Sequence, residues 1–510
     1  MKKTVLAAVA ALALALAVPT YAQNPDAAVE RLEDYLDAFP DLGPGFAAVV
    51  VTADEVLMHR VEGVRRVSTG APMTADTPQY IASQTKAFMG LLAARLDAEG
   101  ILDLDSHITD HWPEMEFPGW ADPSDYTLRD LLSHQVPFIA QRITAMETTV
   151  MPVAAADYPR MLVEHGYSRD PGYQYDNLGY NIYAAILETA TGRSWKDWLD
   201  LYVFEPLDMD HTSSRTSDFP PEDLAWRHIW RGEEEGWYEM PPKTDGIMQS
   251  AGGLVTSAND MATWLQLQVR GEGPAGSGIT ADMLATAQTG YAEANMAAGS
   301  SPIGAPCPQY ALGWWTCDMD GHEVYQHGGA FPGARSIMAF SPDLGVGIAF
   351  FFNTDNQTNW LSGDLVRLYF EYLLDSPAAA EMGQRLIEQY PGRVSATLEN
   401  SRNAMAERLA AEHWQGWNWS PDRETLARYT GVYTVNDDPY HTMDVRLEGD
   451  GLIFHWGEFN ADMRPAVENR FGVQLQPFSD IFPADFTRNE AGEITGFGFL
   501  GIQFERRMAH

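Results

Sequence analysis

The chain has 510 residues, of which 45% are hydrophobic and 11% aromatic, so it can bury a large core and should hold more than one domain. Its formal net charge of −38 argues against a protein that binds nucleic acid or an anionic membrane through a basic surface. A solvated acidic surface is the simplest interpretation of this charge, and an acidic recognition patch is the alternative.

The first 22 residues have the pattern of an export signal. Lys2 and Lys3 precede an apolar run over 5–18, and small residues up to Ala22 offer a cleavage site. That run is too short to span a bilayer, no Cys follows the cut to accept a lipid, and no later stretch stays apolar for about 18 residues. We therefore predict a periplasmic or secreted protein without a membrane anchor.

Strand and helix patterns alternate through the larger part of the chain. Residues 45–51 and 56–61, separated by a short turn, predict a β-hairpin. From about Ser83 the spacing becomes helical and puts Phe88, Leu91, Leu92 and Leu96 on one face. Further helices are predicted over 128–132, 180–189 and 261–269, and further strands over 336–339 and 346–352. This order fits a sheet interrupted by a helical insertion.

The pattern changes near residue 378. The following stretch is helical and polar, is predicted to break at Pro391 and Gly392, and is interpreted as a connector. Beyond it, short alternating strands such as 443–447 and 452–456 are separated by Gly-rich turns, which predicts a small all-β barrel or sandwich. The predicted units are the signal (1–22), a main domain (23–377), the connector (378–425) and the C-terminal β domain (426–510).

Two cysteines, Cys307 and Cys317, flank a strand-like stretch of nine residues. Disulfides persist in exported proteins, so we expect this pair to close a hairpin. A catalytic thiolate or a metal site is a minor alternative, because the first needs a neighbouring His and the second needs more soft ligands.

The segment Ser83-Gln84-Thr85-Lys86 places a hydroxyl and an amine three residues apart, on one face at a helix start. A serine becomes a nucleophile when a base takes its proton, and a lysine can be that base where burial or positive potential lowers its pKa. The alternative is a surface lysine on an amphipathic helix.

A turn-rich loop from Pro171 to Tyr180 brings Tyr175 and Asn177 two residues apart, just before a predicted helix. A phenol near a lysine can carry a proton, and an Asn can hold both the lysine and a substrate amide. Loop packing and turn formation are the alternative roles.

A third element is the run from Gln326 to Ala330, with His327, Gly328 and Gly329 before a predicted strand. Its glycines allow a backbone to approach a ligand closely. An edge strand at a cleft would offer a backbone N–H to a developing oxyanion, with the N–H of Ser83 as partner. A purely structural role for His327 is the alternative.

These three elements, in this order, resemble the serine β-lactamase-like family, which includes class C β-lactamases, penicillin-binding D,D-peptidases, D-aminopeptidases and related esterases. The resemblance runs from about Gly45 to Asp375. It includes framework stretches at Thr77-Pro78, 128–134, 206–209, 251–254 and 312–314. It implies an α/β fold, namely an antiparallel sheet flanked by helices with a helical subdomain. Similar C-terminal barrels accompany the D-aminopeptidase-like members.

Carried over by position, the resemblance implies Ser83 as the acylated nucleophile and Lys86 with Tyr175 as the base pair. It implies Asn177 as a contact of substrate and of Lys86. His327 fills the third motif, where it completes the catalytic set, and the substrate-facing backbone includes Gly329. The second oxyanion donor is the N–H of Ala330. The framework residue His134 is assigned to structure.

Two features separate this chain from class C β-lactamases, namely its third motif and its added C-terminal β domain. Their third motif carries Lys-Thr-Gly, whereas this chain has His327-Gly328-Gly329, so the likeness moves toward D-aminopeptidases and esterases. Lys243-Thr244-Asp245-Gly246 is only a superficial match. Arg335, eight residues after His327, is a candidate clamp for a substrate carboxylate, with a surface ion pair as the alternative.

The expected activity is that of a secreted serine hydrolase that cleaves amides or peptides, including those with D-residues, or carboxylic esters through an acyl-enzyme. The alternative from another class is a non-catalytic binder or sensor of cell-wall peptide, and a β-lactamase is a weaker one. We expect a small-molecule or peptide substrate and no cofactor, metal or nucleic acid, because the motifs of zinc peptidases and phosphate-binding loops do not occur.

Overall fold

The computed structural model describes residues 24–39 and 41–507. The predicted export signal, 1–22, lies outside the described residues. Across those described ranges, every helix is too short or too polar to cross a bilayer.

The described chain contains 23 strands. In chain order they are β1 (Gly45–Val51), β2 (Val56–Arg66), β3 (Ala71–Pro72), β4 (Gln79–Tyr80), β5 (Phe138–Ile139), β6 (Tyr167–Ser168), β7 (Arg227–Trp230), β8 (Trp237–Met240), β9 (Val255–Thr256), β10 (Ala292–Met296), β11 (Cys307–Tyr310), β12 (Trp315–Met319), β13 (His322–Phe331), β14 (Ala334–Ser341), β15 (Val346–Phe352), β16 (Gly431–Thr434), β17 (Thr442–Glu448), β18 (Gly451–Trp456), β19 (Phe459–Val467), β20 (Arg470–Gln474), β21 (Ile481–Arg488), β22 (Ile494–Phe499) and β23 (Ile502–Arg506).

The same residues form 14 α-helices. They are α1 (Pro25–Ala38), α2 (Thr85–Ala98), α3 (Ile108–His111), α4 (Leu128–Leu132), α5 (Gln141–Thr149), α6 (Tyr158–His165), α7 (Leu178–Thr191), α8 (Trp195–Leu199), α9 (Gln249–Gly252), α10 (Ala258–Arg270), α11 (Ala281–Gln288), α12 (Leu361–Leu373), α13 (Ala379–Ala410) and α14 (Arg423–Ala427).

The main domain is built on a nine-stranded antiparallel sheet in the order β10-β11-β12-β13-β14-β15-β1-β2-β3. Helices α1 and α12 cover one face, and α2 and α10 lie on the other. The central strands β1 and β15 are buried along their whole length because both faces are covered. The predicted β1–β2 hairpin is confirmed, and so is the strand over 346–352.

Helix α2 lies in the middle of the helical layer. It was expected to bury one face, but its residues from Thr85 to Ala94 are all buried. The small residues Ala87, Gly90 and Ala93 explain this, because they let neighbouring segments approach between the larger side chains. The turn between β11 and β12 packs directly against Gly90, since a Cβ on this residue would lie 1.9 Å from the Leu312 carbonyl oxygen.

The predicted break at Pro391 and Gly392 is wrong, because α13 continues through both residues to Ala410. A proline inside a helix removes one hydrogen bond and crowds the carbonyl four residues earlier, and tertiary contacts can outweigh that cost. Tyr390 provides such contacts, since its ring packs edge-on against Phe39 at 4.8 Å and its hydroxyl donates to the Asp41 carbonyl at 2.9 Å.

The C-terminal strands β16 to β23 form a closed eight-stranded barrel, as predicted. The barrel contacts the helical layer of the main domain. The Tyr440 hydroxyl donates to Asp157 at 2.6 Å and accepts from the Ala154 N–H at 3.0 Å. In the turn between β18 and β19, the Glu458 N–H donates to the Val150 carbonyl at 2.7 Å.

Candidate active site

Ser83 lies in a single 3-10 turn, Ala82–Gln84, directly before α2. The preceding residue, Ala82, has a φ of +47°, a left-handed conformation that costs energy in a residue with a Cβ. The turn therefore presents Ser83, which is half-buried, at the start of a helix, where the macrodipole is positive.

Lys86 lies one turn further along and is fully buried. Its Nζ is 3.3 Å from Ser83 Oγ and donates to Asn177 Oδ1 at 2.8 Å and to the Ala251 carbonyl at 2.7 Å. Burial lowers the pKa of this amine to about 7, while the nearby Asp176 carboxylate opposes the change. A substantial neutral fraction therefore exists at neutral pH, which a proton acceptor for Ser83 requires.

Tyr175 and Asn177 come from the loop that leads into α7. The Tyr175 ring centroid is 4.9 Å from Lys86 Nζ, and the ring stacks on Trp315 at 5.2 Å. The residue as a whole is 38% exposed, but burial around its hydroxyl raises the pKa of the phenol, and a hydrogen bond with Ser83 partly offsets this. Tyr175 therefore stays protonated at neutral pH and can pass a proton on.

Strand β13 runs past the Ser83 turn and extends beyond the end of the neighbouring strand β12. β12 begins at Trp315, which pairs with Gln326, so the part of β13 from His327 to Phe331 extends past β12. Gly329 allows close contact with the turn, since a Cβ there would lie 2.0 Å from the Ile81 carbonyl oxygen. The exposed Ala330 follows at this edge, so backbone N–H groups of β13 lie alongside the Ser83 turn.

His327 lies in this region, at the position of the third motif. Its ring is buried, with Nδ1 2.8 Å from the Gly328 carbonyl and Nε2 3.3 Å from the Tyr310 hydroxyl. A carbonyl only accepts, so Nδ1 carries the proton and Nε2 accepts from Tyr310. Burial and the neighbouring Lys86 lower the pKa of His327 to about 3, against the effect of the Gly328 hydrogen bond. His327 is thus a neutral ring with both nitrogens engaged.

Arg335 does not face the cleft. Its neighbour Ser336 pairs with Gly329 and donates from Oγ to the Ile81 carbonyl at 3.0 Å, toward the Ser83 turn. Because side chains alternate along a strand, Arg335 points to the opposite face, where its Nε lies 3.3 Å from Ser362 Oγ in α12. The expectation of a substrate clamp is therefore wrong for this arrangement.

An aromatic cluster surrounds the catalytic groups. His134, assigned to structure from the sequence, is buried beside Tyr175 and Tyr310, with ring centroids 4.6 and 4.7 Å away. Its Nδ1 accepts from the Asp176 N–H at 3.2 Å. Burial lowers its pKa well below the usual value, and the positive charge of Lys86 adds to this. His134 is therefore a neutral ring packed behind Tyr175.

Sequence reasoning missed three groups that touch the site: the Ala251 carbonyl, Tyr310 and Asp176. Each lies inside or beside one of the motifs or framework stretches found in the sequence. The sequence pattern does not reveal, however, that a backbone carbonyl or a carboxylate within such a stretch contacts the site. Arg169 lies 3.3 Å from Asp176 and donates to the Gln174 carbonyl, so the charge of this carboxylate is partly compensated. Within the described ranges, no three His, Cys, Asp or Glu side chains converge as metal ligands would.

Known proteins match this chain along most of its length. A family model described as Beta-lactamase matches residues 32–368. The protein flp of Staphylococcus aureus (strain COL) is 24% identical over 318 residues, which cover 62% of this chain and 60% of that protein. The chain thus spans less than two thirds of that relative's length.

Two solved structures share the fold. The octameric penicillin-binding protein homologue from Pyrococcus abyssi superposes with a TM-score of 0.56 at 18% identity, covering 93% of this chain and 99% of that one. The D-amino acid amidase from Ochrobactrum anthropi SV3 gives a TM-score of 0.55 at 21% identity, covering 70% and 100%. At these identities the likeness establishes the fold alone.

Proposed function

The chain belongs to the beta-lactamase family, and we propose that it is a serine hydrolase in which Ser83 forms an acyl-enzyme with an amide or ester substrate. One observation carries the proposal. The Lys86 amine lies 3.3 Å from Ser83 Oγ, is fully buried, and has a pKa lowered to about 7. Such an amine can accept a proton from a serine without a separate imidazole base.

In the first step, neutral Lys86 removes the Ser83 proton while Oγ bonds to the substrate carbonyl carbon. The electron pair of the C=O bond moves to oxygen, where the N–H groups of Ser83 and Ala330 donate to it. The tetrahedral intermediate then expels the amine or alcohol, which takes the proton from Lys86 by way of Tyr175. An ester between Ser83 and the acyl group remains.

Water completes the cycle. It attacks the acyl carbon and gives a proton to the Tyr175 and Lys86 pair, and Ser83 Oγ regains a proton as the carboxylic acid leaves. Asn177 keeps Lys86 in place through its Oδ1, and its amide nitrogen can donate to a substrate carbonyl.

The third motif favours substrates without a carboxylate beside the scissile bond. His327 is neutral and Arg335 faces α12, so neither supplies a cation to the cleft. We therefore propose amides and esters without such a carboxylate as substrates in preference to β-lactams. The likeness to a D-amino acid amidase supports including amides of D-residues.

A substrate panel tests this function. Wild type is expected to hydrolyse p-nitrophenyl butyrate or the amides of D- or L-phenylalanine, and to turn over nitrocefin far more slowly. Ser83→Ala is expected to lose these activities, while Ser395→Ala, at an exposed position of α13, keeps them. Undiminished hydrolysis by Ser83→Ala would contradict the proposal, and muropeptide binding without turnover of any substrate would favour a binding protein instead.

We also propose that the protein acts outside the cytoplasm. Cys307 and Cys317 form a disulfide between β11 and β12, and such bonds persist in oxidising compartments. Fractionation of cells that express the full chain, with N-terminal sequencing, is expected to find an exported product beginning at Gln23. A product that retains Met1 in the cytoplasm would contradict this.

A further inference from the structure

A buried carboxylate lies behind the active site and is not used in the steps above. Glu147, near the end of α5, is only 2% exposed. It accepts from the Tyr158 hydroxyl at 2.6 Å, from Asn181 Nδ2 at 2.6 Å and from the Val153 N–H at 3.3 Å. Burial raises the pKa of Glu147 to about 7, and within the described residues the groups that oppose this are these three hydrogen-bond donors rather than a cation.

Asn181 links Glu147 to the segment that holds Lys86. Its Oδ1 accepts from the Ala251 N–H at 3.1 Å and lies 3.0 Å from Ser250 Oγ. The Ala251 carbonyl, in turn, accepts from Lys86 Nζ at 2.7 Å. A continuous series of short contacts therefore connects the carboxylate of α5 with the amine in α2.

The backbone before Ala251 needs such support. Met248 and Gln249 have φ values of +67° and +38°, which are strained for residues with side chains. The Met248 N–H donates to the Glu147 carbonyl at 2.7 Å, so Glu147 holds this segment through its backbone as well as through its side chain. Strained segments persist only where surrounding contacts determine their conformation.

We propose that Glu147 is a positioning residue for Lys86: it fixes Asn181, which fixes the Ser250–Ala251 peptide and thereby the carbonyl that orients the amine toward Ser83. This inference rests on the proposed function, because it assigns Glu147 to the alignment of the base. A purely structural acid would affect stability alone and leave the titration of Lys86 unchanged.

Lysine NMR gives a direct readout, because the chain has only five lysines, Lys2, Lys3, Lys86, Lys196 and Lys243. The full chain is labelled with ¹³C at the lysine Cε, and the Lys86 signal is assigned from its loss in Lys86→Arg. Removing a well-placed carbonyl acceptor disfavours the ammonium form, so Glu147→Ala is expected to lower the titration midpoint of Lys86 by about one pH unit.

The rate of Ser83 labelling by a fluorophosphonate, measured above pH 8, is expected to fall roughly tenfold or more in Glu147→Ala, because a small misplacement of a catalytic group is costly.

Matched variants separate positioning from folding. Glu147→Gln can still accept from Asn181 and is expected to recover most of the labelling rate. Glu188→Ala, at an exposed position of α7 next to the same cluster, is expected to leave the rate and the Lys86 midpoint unchanged. If Glu147→Ala fails to fold, Asn181→Leu removes the same link and is expected to shift the midpoint in the same direction.

An unchanged Lys86 titration and labelling profile in folded Glu147→Ala or Asn181→Leu would overturn the inference. Failure of the proposed function is distinguishable, because wild type would then show no labelling of Ser83 at all. The Lys86 titration would still report whether Glu147 positions the amine.

Discussion

At the scale of single residues, the site depends on one buried amine held by two oxygen acceptors. Lys86 donates to Asn177 and to the Ala251 carbonyl, which leaves it directed at Ser83. These acceptors stabilise the ammonium form, whereas burial disfavours it, and burial dominates. The protonation state of Lys86 should therefore control acylation.

The rate of Ser83 labelling by a fluorophosphonate should rise as pH increases through about 7, because Lys86 accepts a proton only in its neutral form. Second-order rate constants between pH 5 and 9 measure this. Lys243→Arg is the matched control, since Lys243 is also buried with a pKa lowered to about 7 but its Nζ donates to the Ser214 and Thr244 carbonyls, away from Ser83. A flat profile, or a midpoint that depends on Lys243, would contradict the role of Lys86.

His327→Ala should lower this labelling rate by less than about tenfold and leave its pH midpoint in place. With a pKa of about 3, His327 does not titrate in the working range, and both of its nitrogens are engaged. The same rate measurements test this. A loss of about 10²- to 10⁴-fold, the usual contribution of a general base, would show that His327 takes the proton after all.

The motifs, together with their resemblance to the β-lactamase-like family, selected Ser83, Lys86, Tyr175 and Asn177, and the structure brings these four together. Two other features of the site depend on tertiary structure and could not be predicted from motif spacing. The neutral state of His327 depends on its burial and on the charge of Lys86, which comes from α2. The direction of Arg335 depends on the pairing of β13 with β14, because a shift of one residue exchanges the faces.

At the scale of elements, the approach of β13 to the Ser83 turn determines where the oxyanion donors lie. Gly329 faces Ile81 with no room for a side chain, whereas a Cβ on Gly328 would meet only the Ser336 carbonyl oxygen at 3.7 Å. The two neighbouring glycines therefore have different roles, and sequence alone did not distinguish them.

Gly329→Ala should reduce acylation by roughly a hundredfold with the fold retained, because its Cβ would push β13 away from the Ser83 turn. Gly328→Ala is the control and should keep nearly full activity. Ester hydrolysis, together with circular dichroism, measures both. Equal activity of the two variants would show that the separation of β13 from the turn does not matter for catalysis.

The disulfide encloses the turn that carries Tyr310 and Trp315 to the site. Closing a loop with a sequence separation of 10 stabilises the folded state by ~3 kcal/mol in the chain-entropy account. The double variant Cys307→Ala and Cys317→Ala should lose about that much in free energy of unfolding, as measured by urea denaturation. An unchanged midpoint of urea denaturation in the double variant, with or without reductant, would contradict this.

At this scale, the hydrophobic pattern of the sequence predicted helices and strands best where local residues alone determine which positions are buried. The strand over 346–352 and the helix over 128–132 matched the structure, and Thr127 and Asp130 form the capping box that begins this helix. The break expected at Pro391 failed because the contacts of Tyr390 come from residues far away in the chain.

At the scale of the whole molecule, the barrel docks on the side of the helical layer that includes Glu147. The Glu458 N–H meets the Val150 carbonyl, one turn after Glu147, and Tyr440 meets Asp157. A barrel was predictable from its alternating strands. Its docking face was not, because single long-range contacts leave no periodic pattern in the sequence.

Tyr440→Phe should destabilise the protein by about 1–3 kcal/mol, because it leaves the Ala154 N–H and the Asp157 carboxylate without their partner. Thermal unfolding measures this, with Tyr238→Phe, at an exposed position of β8, as the control. Equal thermal unfolding midpoints for the two variants would show that the Tyr440 contact does not hold the barrel in place.

The most direct measurement is the intact mass of the protein after exposure to a fluorophosphonate, followed by mapping of the modified peptide. We predict one adduct, located on Ser83, that is absent from Ser83→Ala and strongly reduced in Lys86→Met. An adduct of equal yield in Ser83→Ala, or one that maps to another serine, would contradict this prediction.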